Sequence, residues 1–185
     1  MTFQYPPQIG LLLALVIVAA VYDLRYRRIP NWLTLPGVVC GLVLNTVLAE
    51  SWLAGLTFSL KGMALGFGFY FVLYALRAMG AGDVKLMAVV GAITGPQYWL
   101  IIFVITALMG GVLAVIASIV RKRLRTTFWN VGFILSQMRR FKPAYLGKEE
   151  LDVRSEKALR MPHGAVIAAG TLVFLWIYYT NFPAS

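Results

Sequence analysis

Apolar residues run almost unbroken from Ile9 to Tyr22, from Trp32 to Ala49, from Gly62 to Ala78 and from Tyr98 to Val120, with shorter runs at Leu86 to Thr94 and Gly164 to Tyr179. Most exceed the roughly 10 residues of a membrane β-strand. In hydrocarbon every backbone N–H and C=O must be satisfied within the protein, which leaves helices and closed barrels as the lipid-exposed spanning structures. Helices are therefore expected. Of the 185 residues, 60% are hydrophobic and 13% charged, about half the roughly 25% charge of a soluble domain. The mean hydropathy of +0.77 agrees. The expected fold is all-α, one membrane-embedded domain over residues 1–185 with six transmembrane helices and one longer cytoplasmic loop at about 121–160.

The first span is expected from Ile9 to Tyr22, with Pro6 and Pro7 near its first turn, where a missing N–H costs least. Met1 to Gly10 holds no Lys or Arg, unlike the n-region of a secretory signal. A basic turn follows, Arg25, Arg27, Arg28, Ile29, Pro30, Asn31, in which Asn31 or Thr34 is the expected cap of the next helix. Glu50 to Leu60 reads as a boundary segment and places Lys61 at the outer end of the third span, as a snorkelling interface residue. Gly95 and Pro96 stop the fourth span and separate it from the fifth.

Orientation follows from where the cations lie. With the N-terminus outside, the turns at 24–31, 77–85 and 121–160 are cytoplasmic and hold every Lys and Arg except Lys61. Asp23 and Asp83 then share one membrane face, although sixty residues of chain separate them. The net charge of +10 accompanies these turns and forms no separate basic domain, so a membrane-lipid surface is expected and no nucleic acid. Phe128, Val131, Phe133, Ile134, Leu135, Met138 and Phe141 recur near helical spacing, with Arg139, Arg140 and Lys142 at the C-terminal end, the pattern of a helix lying in the interface. Cys40 is the one cysteine, which excludes an internal disulfide and a paired-cysteine zinc site; no metal or cofactor is expected.

Ionisable groups at membrane depth are costly unless paired or wet, so Asp23 and Asp83 need an explanation. One is structural: Asp83 as a helix N-cap, and Asp23 paired with Arg27 across its turn. The other is chemical. Hydrolysis of a peptide bond by two carboxylates needs one ionised group to take a proton from water and one neutral group to protonate the carbonyl oxygen. Gly80 and Gly82, just before Asp83, would allow positive φ and the close approach of another backbone. Lys85 would hold an acidic group of a substrate or favour ionised Asp83, or else be a positive-inside anchor.

At these residues the chain resembles a known family. Asp23 with Ile29, Pro30, Asn31, and then Gly80, Ala81, Gly82, Asp83, Val84, Lys85, Leu86, look like the two signatures of the type IV prepilin peptidases, membrane aspartyl peptidases with a GxGD motif. Met161, Pro162, His163 and Gly164 are similar to the family's last-helix motif, with His163 where an aromatic is usual. The resemblance implies removal of the leader peptide from prepilins or pseudopilins at the cytoplasmic face of the bacterial inner membrane. Asp23 and Asp83 would be the catalytic pair, and Gly80, Gly82 and Lys85 would serve site geometry or substrate binding. Lacking a cysteine-pair insert, the chain looks most like the short tight-adherence (Flp) pilus branch, which does not N-methylate. Two other classes stay open: a proton- or ion-coupled transporter, which would place its carboxylates near the midplane, and a non-enzymatic pilus-assembly protein whose aspartates only cap helices.

Overall fold

The computed structural model describes residues 6–77, 79–120, 122, 129 and 162–181. Among them five α-helices are long and apolar enough to cross a membrane: α1 (Pro6–Tyr26), α2 (Asn31–Leu48), α3 (Trp52–Ala75), α4 (Ala81–Val120) and α5 (His163–Asn181). The interfacial helix expected near 128–141 lies outside the described residues.

Two boundaries differ from expectation. Helix α1 does not end at Tyr22 but carries Asp23 inside its last turns and stops at Arg27, whose φ of 53° is left-handed. Nothing between Tyr22 and Tyr26 breaks a helix; polarity had marked the edge of apolar sequence, not the end of hydrogen bonding. Helix α3 begins at Trp52, so the supposed boundary segment is helical and Lys61 lies exposed within the helix, not at its outer end. The cause is contact with α2. A Cβ on Gly55 would fall 2.1 Å from the Asn45 carbonyl oxygen, so the early turns of α3 lie hard against the end of α2.

Helix α4 is broken at Gly95, whose φ of 75° and ψ of 176° are not helical. Glycine suits that conformation, and a Cβ there would also strike the Phe58 ring. The break reverses the chain. Gly66 of α3 sits against the Met87 carbonyl and against Trp99 Nε1; in a straight helix those two residues would be about 18 Å apart along the axis. The leg over 81–94 and the leg over 96–120 therefore run back alongside each other.

Pro96 has no N–H, so the Ala92 carbonyl loses its usual helical partner. Asn45 replaces it: its Nδ2 donates to Ala92 O at 2.9 Å and Ile93 O at 3.1 Å, and also reaches Ser59 Oγ at 2.6 Å, while Gln8 Nε2 donates to Asn45 Oδ1. All three side chains are fully buried. Four helices are thus tied at the break.

With its end secured, the first leg of α4 becomes the central element. From Asp83 to Gly95 every residue but Lys85 is buried, which accounts for a sequence apolar on all sides. Leu12 and Val16 of α1, Trp99 and Ile102 of the second leg, and Ile167 and Phe174 of α5 complete the core around Met87 and Ile93. The second leg instead turns much of itself outward, with Leu108 and Val120 among the most exposed apolar residues. Helix α3 meets the central leg through glycine: a Cβ on Gly62 would lie 2.0 Å from the Gly91 carbonyl oxygen, and one on Gly91 2.1 Å from that of Gly62. Close approach of this kind is how helices gain contact where lipid supplies no hydrophobic drive.

Gly62→Ala should therefore cost at least the roughly 1–3 kcal/mol typical of overpacking. Gly68→Ala, which meets nothing within 4 Å, should be tolerated. Thermal unfolding of both variants in detergent is the measurement, and equal stability would disprove the contact.

Candidate active site

At the end of the bundle opposite Asn45, the chain between α1 and α2 is pinned by Pro30, whose φ of −75° starts α2 without a side-chain cap. Neither Asn31 nor Thr34 caps it, contrary to expectation. The Leu33 and Thr34 N–H groups bond to Pro30 O instead, and Asn31, already helical, accepts a hydrogen bond from Lys85 Nζ at 2.7 Å. Ile29 turns inward and is buried.

Ile29 is where three helices converge. A Cβ on Gly82 would lie 3.2 Å from Ile29 Cβ, and one on Gly164 would lie 2.9 Å from Ile29 Cδ1 and 3.0 Å from Asp23 Oδ2. Asp23, on α1, is thereby held against the first turn of α5, where its Oδ2 accepts the Ala165 N–H at 3.3 Å. Asp83, on the first turn of α4, has its own backbone donor: its Oδ2 accepts the Gly80 N–H at 3.2 Å, while the Asp83 N–H returns to Gly80 O. With Gly80 as the cap residue and Asp83 three residues in, this is the Asp83 half of a capping box, a backbone carbonyl standing where the cap side chain would be.

Both carboxylates are buried, and each faces the N-terminus of a helix, where unpaired N–H groups favour negative charge. Asp83 lies within electrostatic reach of Asp23, His163 and Tyr70. The two aspartates singled out from sequence therefore occupy one site, with a single apolar wedge between their helices.

The other expected residues divide. Gly80 supplies the cap, and Gly82 supplies the close approach, although to Ile29. Neither has a positive φ; among the described glycines that belongs to Gly95. Gly82 already lies inside the α4 helix, so its backbone has no need of the left-handed region. Lys85 is not in the carboxylate cluster: two residues along the helix from Asp83, it faces α2. His163, at the start of α5, comes within electrostatic reach of Asp83, and Ile29 and Gly164, which the sequence marks only as members of two signatures, pack against each other, Gly164 also against Asp23. The Pro162, His163, Gly164 run was the available signal.

Residues 10–115 match the type IV leader peptidase family, and the chain belongs to it. It is 33% identical over 119 residues to a prepilin leader peptidase/N-methyltransferase of Bacillus subtilis (strain 168), covering 60% of this chain and 46% of that protein. To a prepilin leader peptidase/N-methyltransferase of Escherichia coli (strain K12) it is 32% identical over 119 residues, 60% of this chain and 52% of the relative. The chain spans about half the length of these curated relatives. No solved structure gives a significant match.

Gly164→Ala should lower stability by about 1–3 kcal/mol by driving a methyl into Ile29 and Asp23. Adding Ile29→Val, which removes Cδ1, should recover part of that loss, a non-additive result readable from thermal unfolding of the four combinations. Strict additivity would mean that the two residues do not touch.

Proposed function

We propose that the protein is an aspartyl endopeptidase that removes the leader peptide of type IV, Flp-like prepilins or pseudopilins, with Asp23 and Asp83 as its catalytic pair. The observation that carries this is the meeting of two buried carboxylates from distant parts of the chain, each supported by helix N-terminal N–H groups, in a member of the leader peptidase family. Two carboxylates at one site can divide the work of peptide-bond hydrolysis. The ionised member takes a proton from water as it attacks the scissile carbonyl, and the protonated member gives its proton to the carbonyl oxygen. The backbone donors keep both groups aimed through the exchange.

The finer reading has the chain crossing the bacterial inner membrane six times, the two legs of α4 counting as separate spans, with the site at the cytoplasmic face. The reversal at Gly95 and the clustering of Lys and Arg support it. The resemblance to the short pilus branch supports cleavage without N-methylation.

One feature of the site favours a second reading. Each aspartate makes the hydrogen bond that a purely structural cap would make, as a non-enzymatic assembly protein would require. Asparagine separates the two, since it caps almost as well but cannot ionise.

Asp23→Asn and Asp83→Asn should each abolish conversion of a prepilin in membranes at matched protein level, with the double variant scarcely worse because the pair acts as a unit. In the same assay the mature pilin made by the unaltered protein should carry an unmethylated N-terminus by mass. Near-normal processing by both single variants would leave the assembly-protein reading.

Reporter fusions should place the loop near Lys148 in the cytoplasm and Ser185 outside. A cytoplasmic Ser185 would remove the six-span plan.

A further inference from the structure

The buried face of α3 consists of Gly55, Ser59, Gly62, Gly66 and Tyr70: small residues in succession, then one of the largest fully buried side chains of the protein. Small residues let neighbouring helices lie close. Tyr70 ends that stripe with a phenol that close packing does not call for.

Its position follows from the register of the helices. The first leg of α4 runs antiparallel to α3: a Cβ on Gly62 would strike the Gly91 carbonyl, and one on Gly66, four residues further along α3, would strike the Met87 carbonyl, four residues back along α4. One more step of the same register sets Tyr70 opposite Asp83. The second leg of α4 runs parallel to α3, and the same steps bring Gly62 to Gly95, Gly66 to Trp99 and Tyr70 to Phe103, whose ring meets that of Tyr70 edge to face at 6.1 Å. Tyr70 therefore stands where α3 touches both legs, its ring held by Phe103 and its phenol within electrostatic reach of the Asp83 carboxylate.

Tyr70 is 2% exposed, and a buried phenol ordinarily places its O–H in a hydrogen bond. Among the described residues the Tyr70 hydroxyl has no such partner, and the hydrogen bond that Asp83 accepts comes from the Gly80 N–H. A neutral donor is thus left over at the level of a buried carboxylate. Peptide hydrolysis has a use for one there. As water adds to the carbonyl carbon, negative charge grows on the carbonyl oxygen, and a group with two lone pairs needs more than the single proton that an aspartic acid brings.

We propose that Tyr70 is a catalytic residue alongside the two aspartates, its hydroxyl donating a hydrogen bond to the carbonyl oxygen of the bond to be cut. This rests on the peptidase reading. The water oxygen forms its bond to the carbonyl carbon, the C=O π pair moves onto the oxygen, and that oxygen takes its proton from the protonated aspartate. Tyr70 keeps its own proton throughout, and its hydrogen bond strengthens as the charge develops. An interaction that is stronger in the transition state than in the bound substrate acts on kcat and leaves KM nearly unchanged.

Tyr70→Phe keeps the ring and its contact with Phe103 and removes the oxygen alone. It should lower kcat for a prepilin by roughly 100-fold, the effect of losing one oxyanion donor, while KM and the midpoint of thermal unfolding stay close to those of the unaltered protein. A kcat like that of the unaltered protein would overturn the proposal. Tyr70→difluorotyrosine, introduced by genetic-code expansion, separates donation from packing, because it offers a more acidic phenol on nearly the same frame and a phenolate cannot donate. Asp83 is the described charged group that acts on this phenol, and it is the same in both proteins. The alkaline loss of kcat should therefore set in at lower pH with difluorotyrosine than with tyrosine; coincident alkaline profiles would overturn the donor role even if Tyr70→Phe were slow. Absence of cleavage by the unaltered protein would sink the peptidase reading and this proposal with it, whereas cleavage that Tyr70→Phe leaves intact would sink the role of Tyr70 alone.

Discussion

Backbone polar groups inside a membrane protein have no water to turn to, and the rest of this structure depends on how one break in a helix meets that constraint. At Gly95 and Pro96 the α4 ladder stops, and the Ala92 and Ile93 carbonyls are taken over by the Asn45 amide, itself held by Gln8 and Ser59. Without such partners, each buried carbonyl would cost on the order of 1–3 kcal/mol. With them, the first leg of α4 can end in the middle of the protein, turn, and be surrounded. Asp83 then stands at the foot of an element fixed at its far end by a polar knot and along its length by glycine contact with α3.

The carboxylate end is built by a different device. Helix N-termini, which elsewhere need caps from nearby residues, receive their caps here from Asp83 on its own helix and from Asp23 on another. One set of hydrogen bonds both finishes α4 and α5 and orients the groups assigned the chemistry. Ile29, buried just ahead of Pro30, fills the space left by Gly82 and Gly164 and sets the spacing of α1, α4 and α5. The short Ile29, Pro30, Asn31 signature thereby gains a physical meaning: wedge, helix start, and tether for Lys85.

Much of this was legible in the sequence because lipid leaves few options. The helical class, the Gly95 and Pro96 interruption and the two aspartates all follow from apolar run length and from the cost of a charge at depth. The misplaced boundaries have a common cause. Polarity marks where side chains change, whereas a helix ends where hydrogen bonding fails, so Asp23 and Lys61 lie within helices that polarity alone would have stopped. Gly62 and Gly91 were readable as small residues, but no one-dimensional pattern says which two of seventeen glycines face each other. His163 and Ile29 were hidden for the same reason, since each acquires its role from a helix far away in the chain.

The first leg of α4 spans 81–94, fourteen residues, or about 21 Å at 1.5 Å per residue. A typical hydrocarbon layer is about 30 Å thick. A central post of fourteen residues enclosed by helices of 18 to 24 residues cannot reach as far as they do at both of its ends. Whatever is fixed to it, the Gly95 break at one end or Asp83 at the other, is set in from the ends of its neighbours by helix length alone. The depth of the site is thus written in the difference between two residue counts, before any side chain is chosen.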